Sequence, residues 1–452
     1  MGVRAGDQFV GFVLEQIDKA QKRLPLITSC AERAADQIVR QNGEYLSAGD
    51  DGFAGEPVWR AGGIAFLKRY RPDKKAQPPA SAADSQRDAP YSDEFMAIQR
   101  TASYADIYNI RDAHENDVVL LGFEDERHER DLLAPYLQQL LSSGALILLF
   151  ASDQTARDVE SGFGKRQNLL TITHDVGDGG VIEAKGWREK ICSGRSFVQR
   201  LHAWLFQAEL IGAFLRRGKI PGILLSVTYE SPQFFNLPLI HSYRFIPAFD
   251  VVPVQPGELG RTYLDHFREI TTSVFSTQKE QFQQSAKWLA QAIRSNHKAF
   301  ALVTHGVNPV GLSGDPGVFS FYSDPNVYYP EMEKICTKDD VALYVGYNWY
   351  PPELTAAVAR SGAKVVFGLT LVRDLPPRAV IYGPGGPLFH PTSLAQLPKR
   401  DNWIYIDTKF AQYDGTLKIP GYPIPALCTS DLTNNLIYWR FVADTVELLG
   451  QS

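Results

Sequence analysis

Cysteine is scarce in this sequence, which has 4 cysteines among 452 residues. They lie far apart, and none belongs to a Cys-x-x-Cys pair: Cys30, Cys192, Cys336 and Cys428. This spacing favours neither a disulfide framework nor a zinc site. Long apolar runs are also missing, since no segment approaches the roughly 20 apolar residues of a membrane-spanning helix. The N-terminus lacks the apolar core of a secretory signal, so we expect a cytoplasmic protein that does not bind membranes.

A strong excess of one charge is missing as well. The net charge is −5, and the sequence has no polybasic field, which argues against a nucleic-acid-binding protein. The phosphate loop GxxxxGK[ST], the dinucleotide motif GxGxxG after a strand and the zinc motif HExxH are all absent. We therefore predict neither a cofactor nor a metal ion.

Two distant passages of the chain follow one pattern. The first runs from Asp117–Phe123 to Gly144–Phe150, and the second from Asp340–Tyr347 to Gly362–Gly368. Each reads as a strand, a glycine-containing turn, a helix, a Gly-Ala pair and a strand, which is a right-handed parallel β-α-β unit. The repeat predicts two related α/β halves whose ligands bind at the carboxyl ends of the strands.

The segments around these units fit two domains. A chain of 452 residues is too long for one ordinary core, and we predict domains at 1–220 and 221–452. The helical pattern at Phe9–Asn42 contains Pro25, which is expected to divide it into two helices. Residues 71–93 are rich in proline and charge and are predicted to form a mobile loop.

Three groups of residues resemble one known family. They are Glu56 with Arg60–Gly63, the two strands that begin at Asp117 and Asp340, and the C-terminal segment containing Gly421–Pro425, Cys428–Ser430 and Asn434–Trp439. In these residues the chain resembles the sugar isomerase (SIS) family in its double-domain form. The resemblance implies two SIS-like three-layer α/β/α domains, each with a mostly parallel sheet flanked by helices. It also implies phosphosugar binding or isomerisation, and a homo-oligomer would follow the family habit.

The phosphate loop that the resemblance implies is altered in both halves. Family members usually carry a Ser-x-Ser-Gly loop after the second strand. That position holds the acids of Gly122–Glu126 in the first half and the aromatic residues of Gly346–Glu353 in the second. Acids there would repel a phosphate. We therefore expect a SIS protein that binds a carbohydrate derivative, either as an aldose–ketose isomerase acting on a phosphosugar or amino sugar, or as a non-catalytic binding or interaction protein.

Glu56 and His305 are the predicted catalytic residues. Aldose–ketose isomerisation needs a base that moves a proton between adjacent carbons and a second acid or base. Burial can raise a glutamate pKa toward neutrality, and both residues follow strands, where α/β folds place their chemistry. The alternatives are that Glu56 is a first-turn acid at a helix start and that His305 is a hydrogen-bonded structural histidine.

The predicted ligand-binding residues lie in three loops. They are Gly49, Asp50, Asp51 and Gly52 after the first strand, Thr304, Gly306 and Asn308 after Ala299–Val303, and Thr429 and Ser430 before the last helix. The aspartates are alternatively turn formers, and Thr429 or Ser430 is alternatively a helix cap. The expected partner is a small-molecule carbohydrate derivative.

Overall fold

The computed structural model describes most of the chain. The described residues are 4–58, 60–72, 109–110, 112–226, 236, 239, 244–246, 250–303, 312–322, 335–346, 357–358, 360–371, 381–383, 386–389, 398–411, 414–422 and 424–451. The predicted loop at 71–93 lies outside this set from residue 73 onward.

The described part of the chain contains both strands and helices. The strands are β1 (Tyr45–Gly49), β2 (Leu67–Tyr70), β3 (Asn109–Ile110), β4 (Val118–Gly122), β5 (Leu146–Ser152), β6 (Leu169–His174), β7 (Gly180–Ile182), β8 (Ile191–Ser193), β9 (Ala299–Val303), β10 (Ser320–Tyr322), β11 (Val341–Val345), β12 (Lys364–Leu369), β13 (Ile381–Gly383), β14 (Gly386–Phe389) and β15 (Trp403–Asp407). The helices are α1 (Ala5–Gln41), α2 (Asp51–Gly55), α3 (Glu126–Ser143), α4 (Asp153–Phe163), α5 (Gly194–Arg216), α6 (Glu258–Thr277), α7 (Lys279–Arg294) and α8 (Ser430–Leu449).

Two parallel sheets share one strand order. The first sheet has the order β3-β2-β1-β4-β5-β6, and the second has the order β10-β9-β11-β12-β15. All pairs in both sheets are parallel. When the edge strand β3 is left out, the first sheet reads β2-β1-β4-β5-β6, which matches the second sheet position by position: the second strand in chain order comes first, then the first strand, then the remaining three in succession. The predicted fold class, two α/β/α units with parallel sheets, is confirmed. The boundary between residues 220 and 221 stays a prediction.

The main core lies between the two sheets. It joins residues of α1, α5, α6, α7 and α8 with the inner faces of β1, β4, β5, β9 and β11. Helix α3 covers the outer face of the first sheet, where Leu133 and Leu137 pack on Val119 and Leu121. Strands that are buried on both faces read as continuous apolar runs, which is why β4 and β11 are recognisable from sequence. In the part of the chain that is described, no helix has the length and apolar character needed to cross a bilayer.

The predicted break at Pro25 is wrong, because α1 continues through it. Leu24 and Ile27, on either side of the proline, are both buried in the core, as are Ala20 and Ala31 one turn further away. Proline removes one helical hydrogen bond. The continuous buried face holds the helix together because packing, rather than propensity, supplies most helix stability in proteins.

Candidate functional site

The site begins where β1 and β4 end side by side. Gly49 and Gly122 are the paired last residues of these strands. Gly49 has φ of 124°, and a Cβ atom there would lie 1.7 Å from the carbonyl oxygen of Gly122. Only glycine permits both the backbone conformation and this close approach. The consequence is that Asp50, just after β1, meets the residues that follow β4.

Asp50 accepts backbone hydrogen bonds from two different loops. Its Oδ1 accepts from the N–H of Phe53 at 2.9 Å, which caps α2. Its Oδ2 accepts from the N–H groups of Glu124 at 2.7 Å and Asp125 at 2.8 Å, which immediately precede α3. The side chain is buried, and burial raises the pKa of Asp50 although these three hydrogen bonds oppose the rise. Asp50 therefore joins the starts of α2 and α3.

Glu124 forms a buried ion pair with Arg200 of α5. Its Oε2 accepts from Nη2 of Arg200 at 2.8 Å, and its Oε1 contacts Nε of the same guanidinium. Burial raises the pKa of Glu124 to about 7, while Arg200 opposes the rise. The nearby Gly52 provides space, since a Cβ atom there would lie 2.6 Å from the Glu124 carboxylate. Glu124 is therefore a buried carboxyl group whose burial favours the protonated form and whose arginine partner favours the charged form.

Glu56 follows α2 and lies between two arginines. Its Oε1 is 3.1 Å from Nε of Arg60, and its Oε2 is 3.9 Å from Nη1 of Arg200. Its side chain keeps 15% of its surface exposed, against 4% for Glu124. Burial raises the pKa of Glu56, the two arginines lower it, and nearby Asp431 and Asp414 raise it. The first-turn alternative is wrong because Glu56 is at the C-terminal end of α2.

Arg60 connects Glu56 to the C-terminal part of the chain. Its Nη2 donates to Oγ of Ser430 at 2.8 Å and lies 3.6 Å from Oδ2 of Asp414. Ser430 in turn donates its hydroxyl to Asp414 Oδ2 at 2.7 Å, and its backbone N–H reaches Asp414 Oδ1 at 3.2 Å. Arg60 and Asp414 are both buried. Residues from both ends of the sequence thus meet in one polar cluster.

The backbone near Gly62 holds this junction in place. The N–H of Leu427 donates to the carbonyl of Gly62 at 2.8 Å, and the N–H of Gly62 donates to Leu224 at 2.7 Å. Gly62 has φ of 78°, and Leu427 has φ of 60°. A positive φ is costly for leucine, by about 1–2 kcal/mol, so the surrounding contacts must hold it there. The Arg60–Gly63 and Cys428–Ser430 segments, separate in sequence, are therefore packed together.

Seven residues make up what we call the buried ion-pair network: Asp50, Glu56, Arg60, Glu124, Arg200, Asp414 and Ser430. Around Arg200 it contains two carboxyl groups whose pKa values burial raises, Glu56 and Glu124. Paired carboxyl groups with raised pKa values are typical of proton-transfer sites, although structural ion pairs share this property.

Only some of the predicted ligand-binding residues lie at the buried ion-pair network. Asp50 and Ser430 belong to the network, and Gly49 and Gly52 make room for it. Asp51 points away from it, is 85% exposed, and pairs with Arg71 at 2.6 Å and with Arg69. Thr429 is buried, lies 3.5 Å from the hydroxyl of Thr416, and makes no side-chain cap bond to α8.

Four predicted residues lie outside the described part of the chain: His305, Thr304, Gly306 and Asn308. They stay predictions. Strand β9, which precedes them in the chain, pairs with β11 in the second sheet.

Sequence reasoning missed four members of the network as site residues, and one of them, Glu124, was noted only among the acids at the position of the phosphate loop. Arg200 lies in α5, whose apolar residues have the spacing of an amphipathic helix, yet α5 is buried all round from Gly194 to Leu215. A charged residue inside so apolar a helix is a usable signal, because a buried charge requires a partner. Arg60 lies in the Arg60–Gly63 segment that resembles the SIS family, but no chemical role was predicted for it. Asp414 lies in an irregular segment with no periodicity that points to it.

Solved structures similar to this chain include the following two. The C-terminal domain of glucosamine-fructose-6-phosphate aminotransferase from Francisella tularensis is 7% identical, with a TM-score of 0.42, over 96% of this chain and 96% of that chain. A protein named as a phosphosugar isomerase from Clostridium difficile 630 is 10% identical, with a TM-score of 0.40, over 96% of this chain and 93% of that chain. No protein-family profile and no curated protein matches this sequence.

Proposed function

We propose that this chain is a sugar isomerase-like protein that binds a carbohydrate derivative beside the carboxyl ends of β1 and β4. Glu56 is the proposed acid/base residue. The observation that supports this most is its position between Arg60 and Arg200, at 3.1 Å and 3.9 Å, with part of its side chain accessible. It is the network carboxyl group that a ligand can reach with the least rearrangement.

The arrangement suits proton transfer between adjacent carbons of a sugar. A base for this step works best when its pKa is near the working pH. Burial raises the pKa of Glu56, and Glu124 shares the same arginine. A proton taken up by Glu56 reduces the repulsion between the two carboxylates, which favours its transfer from a substrate carbon. His305 is the proposed second acid/base group.

The test is solvent exchange of substrate protons. An isomerase in deuterium oxide incorporates deuterium at C1 or C2 of its sugar, which proton NMR measures across a panel of aldoses, ketoses and amino sugars. We expect Glu56→Gln to abolish incorporation. Glu44→Gln is the matched control, because Glu44 is also a paired glutamate, held by Arg244 and Lys68, but lies outside the network. Exchange that persists in Glu56→Gln would exclude Glu56 as the base.

A non-catalytic binding protein is the second candidate. It is favoured by the internal pairing of the network, in which Arg200 engages both oxygens of Glu124 and Arg60 engages Ser430. Such pairs can stabilise the contact between the two ends of the chain without any catalytic role. A binder raises its melting temperature when a sugar derivative is added, by mass action, and shows no deuterium incorporation.

A further inference from the structure

The start of α3 has the geometry of an anion site. Helix α3 follows the carboxyl end of β4, and the N–H groups that precede and begin a helix have no partners within it. Such N–H groups, together with the helix dipole, bind phosphate or other anions in many α/β proteins. In this chain the relevant groups are the N–H groups of Glu124, Asp125 and Arg127.

All three N–H groups are already occupied by carboxylates of the chain itself. Oδ2 of Asp50 accepts from Glu124 and Asp125, at 2.7 Å and 2.8 Å. Oδ1 of Asp125 accepts from Arg127 at 2.8 Å. Asp50 is 6% exposed, and its position is fixed by Gly49, whose backbone only glycine can adopt so close to Gly122. Asp50 is therefore built into the fold at the place a bound anion would take.

We infer that Asp50 is an internal anion that determines specificity, filling the α3 site with its own carboxylate and excluding phosphate from it. The part of the ligand that faces the start of α3 accordingly carries no phosphate group. This statement about the ligand rests on the proposed function, whereas the exclusion of phosphate does not. Glu124 is a second carboxylate near Asp50, but Arg200 pairs with it, so the carboxylate of Asp50 is the one that a phosphate at the start of α3 would have to displace.

Anion titration of variants tests the inference. In Asp50→Ala the N–H groups of Glu124 and Asp125 lose their acceptor, and we expect sulfate and phosphate to stabilise this variant in a saturable way. At ten times the dissociation constant the ratio of folded to unfolded protein rises about tenfold. Melting temperatures are compared at equal ionic strength with sodium chloride. Asp51→Ala is the matched control, because it removes a neighbouring negative charge and frees neither of these N–H groups.

A second measurement locates the anion and does not rely on melting temperatures. In the wild-type protein, phosphate should leave the amide NMR resonances of Glu124 and Asp125 unchanged. In Asp50→Ala, or in Asp50→Gly if the alanine variant does not fold, these resonances should shift with phosphate. Wild-type shifts at these two amides would overturn the inference, as would equal anion stabilisation of Asp50→Ala and Asp51→Ala. No sugar is present, so failure of the isomerase proposal would leave this result intact.

Discussion

Replacing Arg60 by methionine should destabilise the protein strongly. Methionine keeps much of the volume and removes the guanidinium, which is 3.1 Å from Glu56 and 3.6 Å from Asp414. The variant also removes the hydrogen bond that Nη2 of Arg60 donates to Oγ of Ser430 at 2.8 Å. Two buried carboxylates then lose a cation that they share.

The expected loss follows from these distances. At an effective dielectric constant of about 20, each attraction is worth about 5 kcal/mol. The cost of burying the guanidinium offsets part of this, and breaking a buried pair on one side typically costs about 3–5 kcal/mol. Asp414 retains its two hydrogen bonds from Ser430, at 2.7 Å and 3.2 Å. We therefore expect the free energy of unfolding to fall by about 3 kcal/mol.

Urea unfolding followed by circular dichroism measures this loss. Arg268→Met is the control, because Arg268 pairs with Asp18 on the surface, where the two side chains are 38% and 61% exposed. A surface pair contributes about 0–1 kcal/mol. Adding Asp414→Asn to Arg60→Met should restore part of the stability, since one unpaired charge is removed. If Arg60→Met costs no more than Arg268→Met, Arg60 does not hold the two ends of the chain together.

Two further predictions concern protonation and backbone geometry. Burial lowers the pKa of His202 to about 3 from 6.5 and lowers that of His174, so only the unfolded state takes up these protons as pH falls below 6.5. Stability is then lost on acidification, by about 1.4 kcal/mol for His202 at pH 5.5, and urea unfolding of His202→Gln should show a smaller loss between pH 7 and 5.5. Gly62→Ala should cost about 1–3 kcal/mol, because φ is 78° and the new Cβ would lie 2.6 Å from the Leu427 nitrogen. Gly11→Ala, with open space around it in α1, should not destabilise, and equal melting temperatures for the two glycine variants would contradict this account.

Local pattern was sufficient to predict the architecture. The buried runs of β4, β5, β11 and β12 are recognisable because parallel strands are apolar on both faces, and the Gly-Ala pair before β5 and β12 marks the helix ends. The right-handed crossover then leaves few ways to connect them. Pro25 shows the limit of local rules, since buried contacts on both sides of it keep α1 continuous.

The site depended on contacts between residues far apart in the chain. Glu56, Asp50 and Ser430 are identifiable as polar residues near element ends, but nothing local links Arg60 to Asp414 or Glu124 to Arg200. Their partners are chosen by packing, because a charge enclosed between two sheets must be neutralised by whichever groups the fold brings near it. Residue type and periodicity determined the sheets and helices of this protein, whereas the pairing, burial and pKa values of its charged residues were decided only when the two halves packed around α5 and α8.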